Sequence, residues 1–239
     1  MKYVIIGGSR GLGLSIANIL LRKNNEIVVF DINPLEIPNE KIIYKRFDLT
    51  KDDFLLLKND IENSDGVIFT AGIGRVAFFN DYNFDEIERT ISIDLISLIK
   101  IITISSDRIM TKNDFYFMCI SSIAGLVSSP LFSVYSAAKA GVCKYVEAVN
   151  TELLKSKCNN RITNVVATSF DGTAFNGGKT NLLCLESLSE YLIESMLRKD
   201  EICKVNNELI DSIIKRYNED PKKFSLDSFE YKIKSNRLK

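Results

Sequence analysis

The sequence predicts an α/β fold, one doubly wound parallel sheet in a single domain, on three observations. Strand-like and helix-like segments alternate along the chain, the pattern of a parallel sheet with helices on both faces. The strand-like runs are nearly continuous in apolar character, as strands buried on both faces are. A length of 239 residues fits one large α/β domain better than two ordinary ones, so residues 1–239 are read as one unit.

The β-rich runs are Tyr3 to Ile6, Ile27 to Phe30, Ile42 to Phe47, Val67 to Thr70, Phe115 to Ile120 and Ile162 to Ala167. Between them, Leu12, Ile16, Ile19 and Leu20 recur at helical spacing. Thr50 to Asn63 opens with a Thr50 and Asp53 pair that resembles a capping box. Phe84 to Met110 reads as one long helix with a bend, and Ser136 to Lys155 carries Ala138, Val142, Val146, Val149 and Leu153 on one face. After Ala167 the regularity weakens. The stretch FDGTAFNGGKTN is a loop by composition, followed by helices at Leu185 to Arg198 and Asn207 to Tyr217 and then an unpatterned tail. The loop and helix at about 170–200 are the expected substrate-binding part, with an atypical tail at about 201–239.

Gly7, Gly11 and Gly13 stand where the first strand hands over to the first helix. A dinucleotide-binding turn needs glycine there for a sharp bend, for close backbone approach to a pyrophosphate, and for tight packing of helix on strand. The helix start near Leu12 then offers amides and a positive dipole end to the diphosphate, with Ser9 and Arg10 in the same loop. The predicted fold is thus of Rossmann type. Asp31, eighteen residues beyond Gly13, closes the second strand, where an acid accepts both adenosine ribose hydroxyls and repels a 2′-phosphate. Arg10 argues the other way, because a guanidinium pairs well with that phosphate. The expected cofactor is NAD(H) in preference to NADP(H).

Bulk composition narrows the function classes. Hydrophobic residues make up 46% and charged residues 26%, as in a folded globular chain. Lys+Arg and Asp+Glu are equal at 31 each, so no long-range field draws nucleic acid or an anionic membrane. There is no histidine, and the five cysteines, Cys119, Cys143, Cys158, Cys184 and Cys203, form no CxxC pair. No zinc site or disulfide framework is expected, and Cys119 and Cys143 read as small core residues. The first strand starts close to Met1, and no apolar run approaches the ~20 residues of a membrane span. A cytoplasmic location is the expectation.

Ser122, Tyr135 and Lys139 follow downstream, the last two one helical turn apart in SVYSAAKAG. Taken singly, each has a plain structural reading: a turn serine after a strand, and a helix-face pair at i,i+4. Together they resemble the short-chain dehydrogenase/reductase family in its classical form. IGGSRGLG matches TGxxxGxG with Ile6 for the threonine, Tyr135 and Lys139 match YxxxK, and Ser122 stands thirteen residues before the tyrosine. The resemblance spans about Lys2 to Thr173.

The resemblance implies several roles. Tyr135 is the general acid/base, Ser122 binds the reacting oxygen, and Lys139 favours the phenolate and holds the nicotinamide ribose. Asp48 and Leu49 in FDLT lie at the adenine, Ala71 and Gly72 in FTAG line the cofactor, and Thr173 meets the carboxamide. The implied reaction is reversible hydride transfer between NAD(P) and a small carbonyl or secondary alcohol. The helices carrying Asp94 and Tyr135 resemble those of the family's dimer contact, so a homodimer, with a tetramer as the alternative, is the expectation.

Three departures stand out. The active-site asparagine of the family is Asp94, the Pro-Gly after the sixth strand is Thr168 and Ser169, and the C-terminal glycine-rich strand is missing. Asp94 has two readings: it replaces the asparagine in its hydrogen bonds, or its charge pairs with Lys139 and draws the lysine from the tyrosine. A dinucleotide-binding regulator or scaffold that lost turnover is the alternative to an enzyme.

Overall fold

The computed structural model describes residues 1–173, 175 and 178–235; the parts of the predicted loop and tail at 174, 176, 177 and 236–239 lie outside these. The strands are β1 (Lys2–Ile6), β2 (Glu26–Asp31), β3 (Ile42–Arg46), β4 (Gly66–Phe69), β5 (Tyr116–Ser122), β6 (Ile162–Ala167) and β7 (Ile202–Lys204). They form one sheet in the order β3-β2-β1-β4-β5-β6-β7. Every pairing is parallel.

The helices are α1 (Gly11–Arg22), α2 (Lys58–Glu62), α3 (Phe84–Ile91), α4 (Ser97–Ile104), α5 (Ser106–Ile109), α6 (Ser133–Lys155), α7 (Leu182–Leu197), α8 (Asn207–Glu219) and α9 (Pro221–Lys234). Alternate strand residues feed two cores. Val4, Ile6, Val28, Phe30 and Phe69 pack against Leu98 and Ile101 of α4 and Val142 and Val146 of α6. Tyr3, Ile5, Ile27, Val29 and Ile68 pack against Leu14, Ile16 and Leu20 of α1 and Leu192 and Ile193 of α7. Each such aliphatic side chain contributes about 1.5–3 kcal/mol when fully buried. No helix among the described residues is long and apolar enough to cross a membrane.

The structure departs from the sequence expectations at five places. The long helix from Phe84 is broken: a π-helical turn at Ser92–Ile96 separates α3 from α4, and α5 follows after Ser105. The hydroxyls of Ser97 and Ser105 donate back to the carbonyls of Ile93 and Ile101, at 2.5 and 2.6 Å, bonds that bend helices. Asp53, and not Thr50, caps the next segment by accepting from the Leu55 N–H at 3.0 Å, and that segment is a 3-10 turn, Phe54–Leu57, leading into α2.

The third strand is exposed at Ile43, Lys45 and Arg46, because β3 is an edge. A seventh strand does exist, without the glycine-rich ending, as β7 pairs with β6. The tail is helical: Pro221 takes the first turn of α9, and Asp220 caps it by accepting from the Lys223 N–H at 2.9 Å.

Candidate active site and dinucleotide cradle

The strand order reverses direction between β1 and β4, and in such sheets ligands bind outside the C-terminal strand ends at that point. A cavity of about 850 Å³ lies there, lined by Gly7, Asp31 and Asp48 at one end and by Ser122, Tyr135 and Lys139 at the other. Volumes of this order suit small-molecule ligands.

At the cradle end, Gly7 has φ +85° and a Cβ there would lie 2.5 Å from the Ala71 amide nitrogen. A Cβ on Gly13 would meet Thr70 Oγ1 and lie 2.5 Å from the Gly7 carbonyl. The glycines therefore bring two backbones and a helix together where no side chain fits. Thr70 fastens the junction, its hydroxyl donating to Gly7 O at 3.0 Å. Arg10 at the N-cap makes no side-chain capping bond, so α1 presents amides that an anion satisfies. Ser9 Oγ is buried without a partner. These features fit a dinucleotide diphosphate.

One feature of the cradle was not read from the sequence. Thr180 Oγ1 accepts from the Gly11 N–H at 2.6 Å, and its hydroxyl donates to the Glu36 carboxylate. No spacing links residues so far apart in the chain.

Asp31 ends β2 with both carboxylate oxygens fixed by backbone. Oδ2 accepts from the Ser9 N–H at 3.1 Å and Oδ1 from the Asn33 N–H at 3.0 Å. Arg10, Leu12, Leu49, Ala71, Gly72 and Thr173 line the same cavity, with Thr173 packed over Gly11. Asp48 accepts from the Thr50 hydroxyl at 2.7 Å and from the Thr50 N–H at 2.9 Å. The Thr50 hydroxyl holds its carboxyl below the usual range against the opposing pull of burial.

At the other end, β5 delivers Ser122, and α6 delivers Tyr135 and Lys139 one turn apart on its buried face. Lys139 Nζ donates to Ile120 O at 3.1 Å and lies 3.3 Å from Asp94 Oδ2. It also stands 5.5 Å from the centroid of the Tyr135 ring. The π-helical turn aims Asp94 inward, where Oδ1 accepts from the Ile73 N–H at 2.8 Å. Asp94 thus makes a backbone bond, as in the first reading, and the pairing with Lys139 of the second, while Lys139 still stands over the Tyr135 ring.

Burial drives the electrostatics of this cluster. It lifts the Asp94 carboxyl, against the attraction of Lys139 and the Ile73 N–H. Burial pulls the Lys139 ammonium down, but the Asp94 charge, helped by Tyr135, holds it above the ordinary lysine value. The Tyr135 phenol is raised, first by burial; Lys139 and a hydrogen bond from Ser122 pull the other way, and Asp94 adds to the rise. Lys139 thus acts on the phenol in the expected direction, and burial outweighs it. The nearby Cys119 thiol, pushed up to about 12 by burial, stays neutral.

The family model for short chain dehydrogenases matches residues 2–180, from the first strand through the glycine loop, Ser122, Tyr135 and Lys139. The chain belongs to the short chain dehydrogenase family. Carbonyl reductase family member 4 of Xenopus laevis is 27% identical over 177 residues, 70% of this chain and 73% of that protein. An uncharacterized oxidoreductase of Saccharomyces cerevisiae is 26% identical over 167 residues. That match takes in 65% of this chain and 54% of the yeast protein, so the chain spans about half the length of that relative. A short chain dehydrogenase from Burkholderia cenocepacia, solved with NADP, superposes with a TM-score of 0.76 at 15% identity, over 95% of this chain and 96% of that one. The helices α8 and α9 lie beyond the segment that the short chain dehydrogenase model matches.

Proposed function

We propose that the chain is an NAD(P)-dependent oxidoreductase acting between a carbonyl and a secondary alcohol, with NAD(H) preferred. The observation that carries this is the convergence of Ser122, Tyr135 and Lys139 in the cavity whose far end is the glycine cradle. The carbonyl reductase relative supports the substrate class. The bound dinucleotide supplies or accepts the hydride.

Tyr135 gives the proton of its hydroxyl to the carbonyl oxygen in reduction and takes it back in oxidation. Ser122 Oγ hydrogen-bonds that oxygen and stabilises its developing charge. Lys139 holds the ribose next to the nicotinamide and its charge favours the phenolate. Asp94 positions Lys139. Gly7, Ser9, Arg10, Gly11, Leu12 and Gly13 hold the diphosphate; Asp31, Asp48 and Leu49 hold the adenosine; Ala71, Gly72 and Thr173 line the remainder.

Asp31 supports NAD, because its carboxylate stands at the end of β2 with both oxygens fixed in place, and a 2′-phosphate set against it meets like charge. Five free cysteines, four of them buried, suit a reducing compartment such as the cytoplasm. A homodimer through α4 and α6 completes the reading. A second reading, a dinucleotide-binding regulator, draws on the Asp94 charge that occupies Lys139. Turnover of NADH and NADPH with a panel of carbonyls separates the two. Consumption of either cofactor supports the enzyme; binding that raises Tm with no consumption supports the regulator.

A further inference from the structure

Three rings meet at one point of the cavity wall. The ring centroids of Phe132 and Tyr135 lie 5.1 Å apart, and Phe175 stands 5.4 Å from Tyr135. Phe132 and Phe175 are nearly parallel, at 10° and 6.5 Å. Gly74 makes this convergence possible, since a Cβ there would lie 2.9 Å from Phe132 Cε1 and 3.0 Å from both Phe175 Cζ and Tyr135 Cδ2. All four residues line the cavity.

The order along α6 fixes the side of the proton donor on which this wall stands. Phe132 at the N-cap, Tyr135 and Lys139 follow at i, i+3 and i+7 and so form one row. Lys139, proposed above to hold the ribose, reaches toward Asp94 and Gly72. Phe132 stands at the opposite end of the row, on the side left to the substrate. The helix α9 supports it from outside: Lys232 Nζ lies 5.5 Å from the Phe132 centroid and donates to Ser129 Oγ and Pro130 O, both at 2.7 Å. Phe229 packs on Phe78 at 6.0 Å, which ties α9 to the loop after β4 at the mouth of the cavity. Phe175, by contrast, keeps 41% of its surface exposed, an apolar face that a ligand can cover.

We infer that Phe132 and Phe175 are the specificity-determining residues of this site, and that the substrate is an aryl ketone whose ring packs against Phe175 with its carbonyl oxygen at Tyr135 and Ser122. This rests on the hydride-transfer reading above. An added ring meets the wall in the offset or edge geometries that aromatic groups prefer, which contributes more than the burial of equal aliphatic area. The ketone takes a hydride from the reduced cofactor at carbon and the Tyr135 proton at oxygen and leaves as the secondary alcohol. The phenolate left behind regains a proton from solvent.

The experiment compares acetophenone with butanone as substrates of the full chain with NADH or NADPH. The wild type is expected to favour acetophenone. Phe175→Ala, which truncates a half-exposed loop residue and leaves the core intact, is expected to cut the acetophenone-to-butanone ratio of kcat/KM by about 10- to 100-fold, and Phe175→Tyr to retain most of it. An unchanged or higher ratio in Phe175→Ala overturns the inference, the higher one meaning that the ring stands where the substrate goes. A wild type that takes butanone as readily as acetophenone overturns it too. If neither ketone is turned over, the hydride-transfer reading fails by itself, and ligand-observed NMR of acetophenone with the cofactor-loaded chain decides the aromatic subsite. Binding to the wild type that is weakened about tenfold or more in Phe175→Ala upholds it; absent binding, or equal binding to both, overturns it.

Discussion

Asp94 Oδ2 lies 3.3 Å from Lys139 Nζ, with both side chains almost wholly enclosed. The lysine that acts on Tyr135 therefore shares its charge with a carboxylate, and Asp94 itself adds to the rise of the phenol. The other groups facing Tyr135 are Ser122, which lowers it, and Cys143, which raises it slightly. Asp94→Asn removes the charge and leaves Asn Oδ1 to accept from the Ile73 N–H. The rising limb of kcat/KM for alcohol oxidation, where Tyr135 must be ionised, is expected to move to lower pH. An unmoved limb refutes the coupling.

Asp31→Ala removes the carboxylate at the proposed adenosine end of the cavity. The ratio of kcat/KM for NADPH over NADH is expected to rise by at least about tenfold, since like charges set against each other cost several kcal/mol. Steady-state kinetics with both cofactors check this, and an unchanged ratio rules out Asp31 as the discriminating residue.

Thr180 occupies the Gly11 N–H, one of the amides proposed to hold the diphosphate. In that binding mode the bond breaks as the cofactor enters. Thr180→Val is expected to tighten NADH by about threefold to tenfold, the worth of one hydrogen bond, as read by calorimetric titration. Weaker binding in the variant implies that Thr180 serves the bound state instead.

Asp48 provides a pH signature of stability. Its folded value is depressed by the Thr50 hydroxyl, so its contribution is fully present above the unfolded value of ~3.9 and is lost as pH falls through the folded value. Thr50→Val is expected to cost about 1–2 kcal/mol at pH 7. The gap from wild type should narrow as pH drops below about 4. Urea unfolding across that range provides the check, and a gap independent of pH contradicts the assignment.

The fold and the gathering of the candidate site residues around one cavity were legible because their signals are local. Gly7 and Gly13 follow directly on an apolar strand, and Tyr135 and Lys139 share a helical turn, so spacing alone carries them. The misses come from long-range contacts. The π-helical turn that aims Asp94 is the exception: it lies within one apolar helical pattern, and helix periodicity reads through it as one bent helix. The Gly11–Thr180–Glu36 chain joins three distant segments. The helix α9 does carry a local signal, Asp220 before Pro221, but its apolar face is narrow, with no residue fully buried. Its position over the mouth rests on Phe229 and Lys232, which belong to no motif.

The account stands on Tyr135 as the proton donor in the transfer step. Single-turnover oxidation of enzyme-bound NADH by a carbonyl substrate, in wild type and Tyr135→Phe, reads that step alone. A loss of about 10²- to 10⁴-fold with cofactor binding unchanged is the expected result. Wild-type rates in Tyr135→Phe contradict it.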